Sequence, residues 1–497
     1  MTNNIKSLKD IIGDLKEVEI LGDPYTKVSG ITQDSRKITQ GDLYICIPGL
    51  KVDGHKFAED AVRAGAAALV VERYLDIDVP QIKVKKARDV GGYLAAAFYN
   101  CPSRQLELVG VTGTNGKTTV SHLIERIARR SGKKTGLIGT LGAKIGEKII
   151  HGQLTTPEAP EIQRLLADMV ANRVETAAME VSSHALSLSR VKGCVYSAAV
   201  FTNLSQDHLD YHSNMREYLE TKARLFSSLK ENPEKQYAII NSDDPSYEYL
   251  KQKTACRIMT YGLEGNPDFK AENIRLSSQG VEFEVRYNSL VAEVRYKTPG
   301  KFSVYNALAA MAWGLTGGYS LDTVLSALNE IEGVPGRFES LRFGQPFTVI
   351  VDYAHTPAGL ENVLQTAKEV TDGKLITVFG CGGDRDRSKR PIMGQVAGEL
   401  SDFTIVTSDN PRTENPREII EDILPGLKKT GVSPADYKII EDRREAIGYA
   451  CSLATRGDTV VIAGKGHEDY QIIGTEKIHF SDQEEVIKAL RGLGYVG

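Results

Sequence analysis

The stretch Gly110-Val111-Thr112-Gly113-Thr114-Asn115-Gly116-Lys117-Thr118-Thr119 sets two glycines, a lysine and several hydroxyls between an apolar run over 106–109 and a helical pattern over 120–127. That order reads as strand, glycine-rich loop, helix. Backbone N–H groups in such a loop, together with the positive end of the helix dipole, cradle phosphate oxygens. Gly113 and Gly116 would let the backbone approach them closely; Lys117 would reach the terminal phosphates and the Thr118 hydroxyl would ligate Mg²⁺. ATP is the expected ligand. The general phosphate-loop pattern is varied here, because Val111 stands where its first glycine belongs, but the Gly-Lys-Thr end is intact. The bland alternative is an ordinary turn that carries Gly-Lys-Thr by chance.

Other residues gain meaning from their position. Glu180 follows the apolar run 176–179, and His208 lies shortly after the run 198–202. Both are oxygen or nitrogen ligands which, with Thr118, could hold Mg²⁺ against a nucleotide, although a lone glutamate is commonly a solvated charge and a lone histidine a satisfied polar group. His208 and His212 have i, i+4 spacing, but Leu209 occupies the place where a zinc-protease helix needs its glutamate. Lys222 shares a helical pattern with Met215, Tyr218, Leu219, Leu225 and Phe226, and from the residues alone it is an exposed or snorkelling lysine. Thr155-Thr156-Pro157-Glu158 reads as a helix start whose hydroxyls cap the first turn. Asp352 could accept from ribose hydroxyls and Arg337 could reach a phosphate; either could be a surface charge. Arg385, Asp409, Arg412 and Glu468 combine both charge signs, which suits a zwitterionic amino acid, or else a surface salt-bridge cluster of little energetic weight.

Such residues need a scaffold that delivers loops to one sheet edge. Short apolar runs alternate with helical stretches over 106–335, the signature of βαβ units and a mainly parallel sheet, and in open α/β sheets ligands bind beyond the carboxyl ends of the strands. Residues 270–298 alternate apolar and polar side chains, predicting antiparallel hairpins beside that sheet. An alanine-rich helix is expected over 307–315, and Gly333-Val334-Pro335-Gly336 punctuates a domain boundary. A second doubly wound pattern follows, with strands expected at 347–351, 375–379, 403–407 and 459–463, each ending in a polar motif. Before 105 the chain carries shorter signals, strands over 43–47 and 67–71 and a helix over 57–64 stopped by Gly65. The expected architecture is α/β in three domains: a small N-terminal α/β domain over 1–105, a central phosphate-loop domain with a mainly parallel sheet and helices over 106–335, and a C-terminal Rossmann-like doubly wound domain over 336–497.

At 497 residues the chain is too long for one core. Its 61 basic and 65 acidic residues leave a formal charge of -4, which argues against nucleic-acid and anionic-membrane partners. The six cysteines are scattered with no Cys-x-x-Cys pair, as in a reduced cytosolic enzyme. No apolar run approaches the roughly 20 residues that span a bilayer, and the first residues lack the apolar core of a signal peptide. A cytoplasmic protein is expected.

The ordered set Asp34-Ser35-Arg36, the loop over 113–119, Thr155-Thr156-Pro157, Glu180 to His184, the run 203–212, Lys222, the motif at 352–357, Asp409-Asn410-Pro411-Arg412 and Gly464-Lys465-Gly466-His467-Glu468 resembles the Mur ligase family over essentially the whole chain. The resemblance implies an ATP-dependent amide ligase of peptidoglycan precursor synthesis. In it, ATP phosphorylates the D-Glu γ-carboxylate of UDP-MurNAc-L-Ala-D-Glu, and the amine of meso-diaminopimelate displaces phosphate from the acyl phosphate. It further implies that Lys117 and Thr118 hold the phosphates and Mg²⁺, that Glu180, His208 and a Lys222 carbamylated by CO₂ serve the metals, and that Asn306, Arg337 and Asp352 touch the nucleotide alongside 113–119. Ser35, Thr155, Thr156, Ser182 and Arg190 would contact the UDP-muramoyl dipeptide, with Leu188 standing where some relatives carry a glutamine. Arg385, Asp409, Asn410, Pro411, Arg412, Gly464 and Glu468 would form the amino-acid pocket of a monomeric enzyme, with Arg412 gripping the second carboxylate that distinguishes diaminopimelate from lysine. Folylpolyglutamate synthetase shares the loop but lacks the N-terminal domain with Asp-Ser-Arg and the Asp-Asn-Pro-Arg motif. A non-catalytic ATP-binding protein is the reading from another class.

Overall fold

The computed structural model describes residues 4–13, 15–49, 52–152, 154–277 and 279–496. Among these the central sheet has 11 strands. Thr135–Gly139, Thr176–Glu180, Glu107–Thr112, Ala198–Phe201, Tyr237–Asn241 and Arg257–Gly262 run parallel in that spatial order. Parallel strands need helices on both faces, so their side chains are apolar on both sides. Val109 and Val111 enter the core beneath the helices Lys117–Arg130 and Lys301–Thr316, whereas Leu108 enters the core beneath Ala159–Ala171 and Met215–Ser227.

The helix Lys301–Thr316 is longer than expected and apolar on nearly every side. A helix of that composition belongs inside, and Trp313, the chain's one tryptophan, is fully buried against Tyr319. The segment expected to make separate hairpins instead continues the main sheet: Tyr261 pairs in parallel with Phe269, after which Phe269–Ser277, Gly280–Tyr287 and Leu290–Tyr296 run antiparallel.

Among the described residues, the C-terminal sheet has six strands in the order Glu339–Leu341, Thr348–Asp352, Thr459–Ala463, Leu375–Phe379, Phe403–Val406 and Tyr437–Ile439, parallel except at the first pair. The hairpin Tyr470–Ile473/Glu476–His479 lies apart from it and touches the 409–412 loop, where Arg412 N donates to Ile472 O at 3.0 Å. The N-terminal sheet orders Glu19–Leu21, Gln81–Lys83, Ala68–Val71, Asp42–Ile45 and Gly30–Thr32. No helix among the described residues is long and apolar enough to cross a membrane.

Candidate active site

The phosphate loop leaves the strand Glu107–Thr112 and enters the helix Lys117–Arg130 through two glycines with positive φ, Gly113 at +147° and Gly116 at +85°. Gly116 is the residue before the first helical turn, and a side chain there would meet Asn306 Oδ1. The loop is pinned from the neighbouring strand end: Thr114 N donates to Asn203 O at 2.8 Å, Asn115 N to Asn203 Oδ1 at 3.0 Å, and Thr202 Oγ1 to Asn115 O at 2.6 Å. Its shape is therefore fixed by contacts within the protein, which is the preorganisation a phosphate cradle needs.

Two lysines converge on this loop. Lys117 Nζ donates to the carbonyls of Gly113 at 3.0 Å and Thr114 at 2.6 Å, and Lys222 Nζ donates to Gly113 O at 2.8 Å. Burial lowers the pKa of both, and for Lys222 it does so well below the usual lysine value, reinforced by the neighbouring Lys117 charge. Lys222 is thus neither exposed nor snorkelling: it is buried with its ammonium over the Tyr218 ring. The helix Met215–Ser227 turns the Tyr218, Lys222 and Leu225 positions toward the sheet, a stripe at helical spacing that includes the lysine.

Glu180, the last residue of its strand, is fully buried. Its carboxylate accepts from Thr118 Oγ1 at 3.0 Å, Thr140 N at 2.8 Å and Thr140 Oγ1 at 2.9 Å. Thr118 Oγ1 in turn accepts from Arg337 Nη2 at 2.8 Å, which ties the C-terminal part of the chain to the phosphate loop. His208, at φ +56°, lies 3.3 Å from Asp207 and edge-on to His184; burial pushes it down to about 3, so its ring is neutral near pH 7. Its turn is not helical, so the His208/His212 pair does not form a zinc helix, and no group of three or more potential protein ligands gathers around one point among the described residues. Mg²⁺ asks for less, one or two carboxylates with phosphate and water oxygens completing the shell. A buried carboxylate in contact with the phosphate-loop hydroxyl fits that demand.

A cavity of about 470 Å³ joins these groups. Thr114 to Thr119, Thr155, Glu180, Ser182, His208, Lys222, Asn306, Arg337 and Asp352 all line it. Asp352 is buried, and both its oxygens accept backbone bonds, from Phe338 N at 2.6 Å and Ala354 N at 2.7 Å; burial raises its pKa. Thr155 and Thr156 do not cap a helix as expected. The helix Ala159–Ala171 begins after Glu158 with no side-chain cap, and its proline is Pro160, not Pro157. Thr156 Oγ1 instead donates to Glu180 O at 2.8 Å and receives Ser182 N at 3.1 Å, fastening one strand-end loop to another. Arg190 pairs with Glu158 at 2.8 Å, and Gln33 from the N-terminal sheet reaches the same carboxylate. Ser35 begins the short helix Ser35–Lys37 and does not line this cavity.

The remaining expected residues form a second group at the carboxyl edge of the C-terminal sheet. Asp409 and Asn410 are buried; Asn410 Nδ2 donates to Glu468 Oε2 at 2.9 Å. Arg412 adopts φ +52° and its Nη1 donates to Gly383 O at 2.8 Å. Gly464, at φ +123°, lies beside Asp409, while Arg385 is half exposed and reaches Asp210 of the central sheet at 4.0 Å. Residues that the sequence reading passed over also stand here. His355 and Lys389 face Asp207, and Lys465 is fully buried within the Gly464–Glu468 motif that had been read only through its first and last members.

With this geometry in view, residues 27–99, 111–314 and 336–466 match the families described as "Mur ligase family, catalytic domain", "Mur ligase middle domain" and "Mur ligase, glutamate ligase domain". The chain is 47% identical over 468 residues to the UDP-N-acetylmuramoyl-L-alanyl-D-glutamate--2,6-diaminopimelate ligase of Bacillus velezensis, covering 93% of this chain and 94% of that one. It is 46% identical over 489 residues to the enzyme of the same name from Bacillus cereus, covering 98% of each. A solved structure of a UDP-N-acetylmuramoyl-L-alanyl-D-glutamate--2,6-diaminopimelate ligase is similar to it with a TM-score of 0.69 and 34% identity, covering 99% of each chain.

Proposed function

The chain belongs to the Mur ligase family, and from that premise we propose that it joins meso-diaminopimelate to the D-Glu γ-carboxylate of UDP-MurNAc-L-Ala-D-Glu at the expense of ATP, in peptidoglycan precursor synthesis. The observation that carries the reading is the convergence of Lys117, Thr118, Glu180 and Lys222 from the central sheet with Arg337 and Asp352 from the next on one cavity. The match over 27–99 favours this enzyme over a folylpolyglutamate synthetase, which lacks the N-terminal domain.

In the first step a γ-carboxylate oxygen of the dipeptide attacks the γ-phosphorus of ATP and ADP departs. The amine nitrogen of diaminopimelate then attacks the acyl phosphate carbon, loses a proton, and inorganic phosphate leaves with the bond pair. Such chemistry asks a protein for positioning and charge neutralisation. Lys117 and Arg337 supply positive charge beside the phosphates, and the positive-φ glycines let backbone amides close on them. Thr118, Glu180, His208 and Lys222 would hold Mg²⁺, which when bound offsets phosphate charge. An ammonium would repel that ion, but the lowered pKa of Lys222 favours the free amine. The amine nitrogen can bond to CO₂ and release a proton, giving a carbamate whose oxygens suit a hard cation.

Domain breaks near 105 and 335 are proposed, with the nucleotide at the second. Thr155, Thr156, Ser182, Arg190 and Ser35 are proposed as contacts to the UDP-substrate, and Arg385, Asp409, Asn410, Pro411, Arg412, Gly464 and Glu468 as the amino-acid pocket of a cytoplasmic monomer. Arg412 presents a planar fork that can grip a carboxylate through two charge-assisted bonds. Lysine would leave that guanidinium without its partner, at roughly 2–5 kcal/mol. The test is the product mass from purified protein, ATP, Mg²⁺ and the UDP-dipeptide, offered diaminopimelate and lysine together, followed by kcat/KM for each in wild type and Arg412→Ala. The expected product carries diaminopimelate, and the variant loses most of the preference; a wild type that chooses lysine, or a variant that keeps its preference, defeats the assignment.

A further inference from the structure

Lys465 lies inside the proposed amino-acid pocket yet is too deep to be one of its surface contacts. Its side chain has no exposure, and its Nζ stands 2.9 Å from Glu468 Oε2, 3.3 Å from Asn410 Oδ1 and 3.7 Å from Asp409 Oδ1. An ammonium has three donors, and each points here to a different residue proposed to touch the incoming amino acid. The ring is closed by Asn410 Nδ2 donating to the same Glu468 oxygen at 2.9 Å. It is steadied from outside by Tyr470 OH at 3.3 Å from Glu468 Oε1 and by Ile472 N donating to Asn410 Oδ1 at 2.9 Å.

The charges around it do not balance. Arg443 spends Nε and Nη2 on Asp482, both side chains fully buried, and lies beside Gly464 as Asp409 does. Three carboxylates, Asp409, Glu468 and Asp482, thus face two cations, Lys465 and Arg443. The cluster is one positive charge short, and among the described residues Asp409 Oδ1 is buried with no hydrogen-bond partner. Buried charge persists only when it is paired, so an ammonium group on the ligand completes the set.

We infer that Lys465 is a positioning residue for diaminopimelate, holding the Glu468 carboxylate and the Asn410 amide in the arrangement that receives an ammonium of the amino acid. The inference rests on the reading of 409–412 and 464–468 as the amino-acid loops. Without Lys465, Asp409 and Glu468 repel one another and the polar ring is left half satisfied, a state worse than either extreme.

Steady-state kinetics on the full chain separates the outcomes. Wild type must first make the diaminopimelate product; if it does not, the functional reading fails and not this inference. Lys465→Met is then expected to raise KM for diaminopimelate about tenfold or more while KM for ATP and for the UDP-dipeptide stay within about twofold and kcat changes less than KM. Lys465→Met/Glu468→Gln, which removes a charge of each sign, is expected to lose far less than the two single losses combined. Should Lys465→Met fail to fold, Tyr470→Phe keeps Lys465 and loosens Glu468 alone, with an expected rise in diaminopimelate KM of about twofold to tenfold. An unchanged diaminopimelate KM in a folded variant, or a parallel loss in kcat and all three KM values, overturns the inference.

Discussion

Lys222 carries the sharpest chemical consequence of any single side chain. A buried amine held against a carbonyl, beside a second lysine, is a poor place for a proton and a good place for a nucleophile toward CO₂. Lys222→Ala is expected to lower kcat on the order of 100-fold or more, as removal of a charge-organising group in a buried site does, with partial rescue by formate or acetate. Full activity of the variant under limiting Mg²⁺ would refute a metal-organising role. The residue also marks where the sequence was and was not legible. Its type and helix suggested a solvated lysine, and only family resemblance singled it out, although its place between Tyr218 and Leu225 on the buried stripe was a physical signal. Thr140, two of whose atoms hold the Glu180 carboxylate, offered no such signal, because nothing in its neighbours' types announces a donor.

Strands and the turns that end them were the most readable elements. Leu375–Phe379 and Thr459–Ala463 coincide with the expected runs, since a continuous apolar stretch bounded by glycine admits few alternatives. Helix starts were less readable: Thr155 and Thr156 look like caps in sequence, but their hydroxyls are claimed by a strand end far along the chain, which no local pattern reveals. Within the loop between the strand Glu107–Thr112 and its helix, Gly113 is the most constrained position. Its φ of +147° is strained for other residues, and a Cβ there would collide with Thr202 Oγ1, the hydroxyl that pins the loop through Asn115. Gly113→Ala is expected to cost roughly 1–3 kcal/mol of local strain and to weaken ATP binding about tenfold or more, with the far-ultraviolet circular dichroism of the fold retained. Nucleotide affinity equal to wild type in calorimetric titration would show that the loop shape is not what binds phosphate.

Over the whole molecule, contacts between the central and C-terminal sheets are made by few groups, and histidines recur among them. His184 is pushed down to about 4 and His467 to about 3, chiefly by burial; His122 and His355 are lowered for the same reason. Each is neutral when folded near pH 7 and takes a proton at about 6.5 when unfolded, so the unfolded chain binds more protons as pH falls. Burial of these rings therefore costs nothing above pH 7 and destabilises the fold progressively from about 6.5 toward 4. The exposed His479, raised by Glu484, acts in the opposite sense but is open to solvent screening. Tm should decline as pH is lowered from 7.5 to 5.0, and a flat Tm across that range would show that these histidines find protons in the folded state. Only the neutral charge balance was legible beforehand; which histidines meet across the sheets depends on how the domains pack, a matter of long-range contact. Trp313, sealed within the central core, adds a practical asymmetry. It is the only indole in the chain, so intrinsic fluorescence reports the integrity of that one core, while loosening confined to the N-terminal or C-terminal sheet is optically silent and must be followed by a label or by calorimetry.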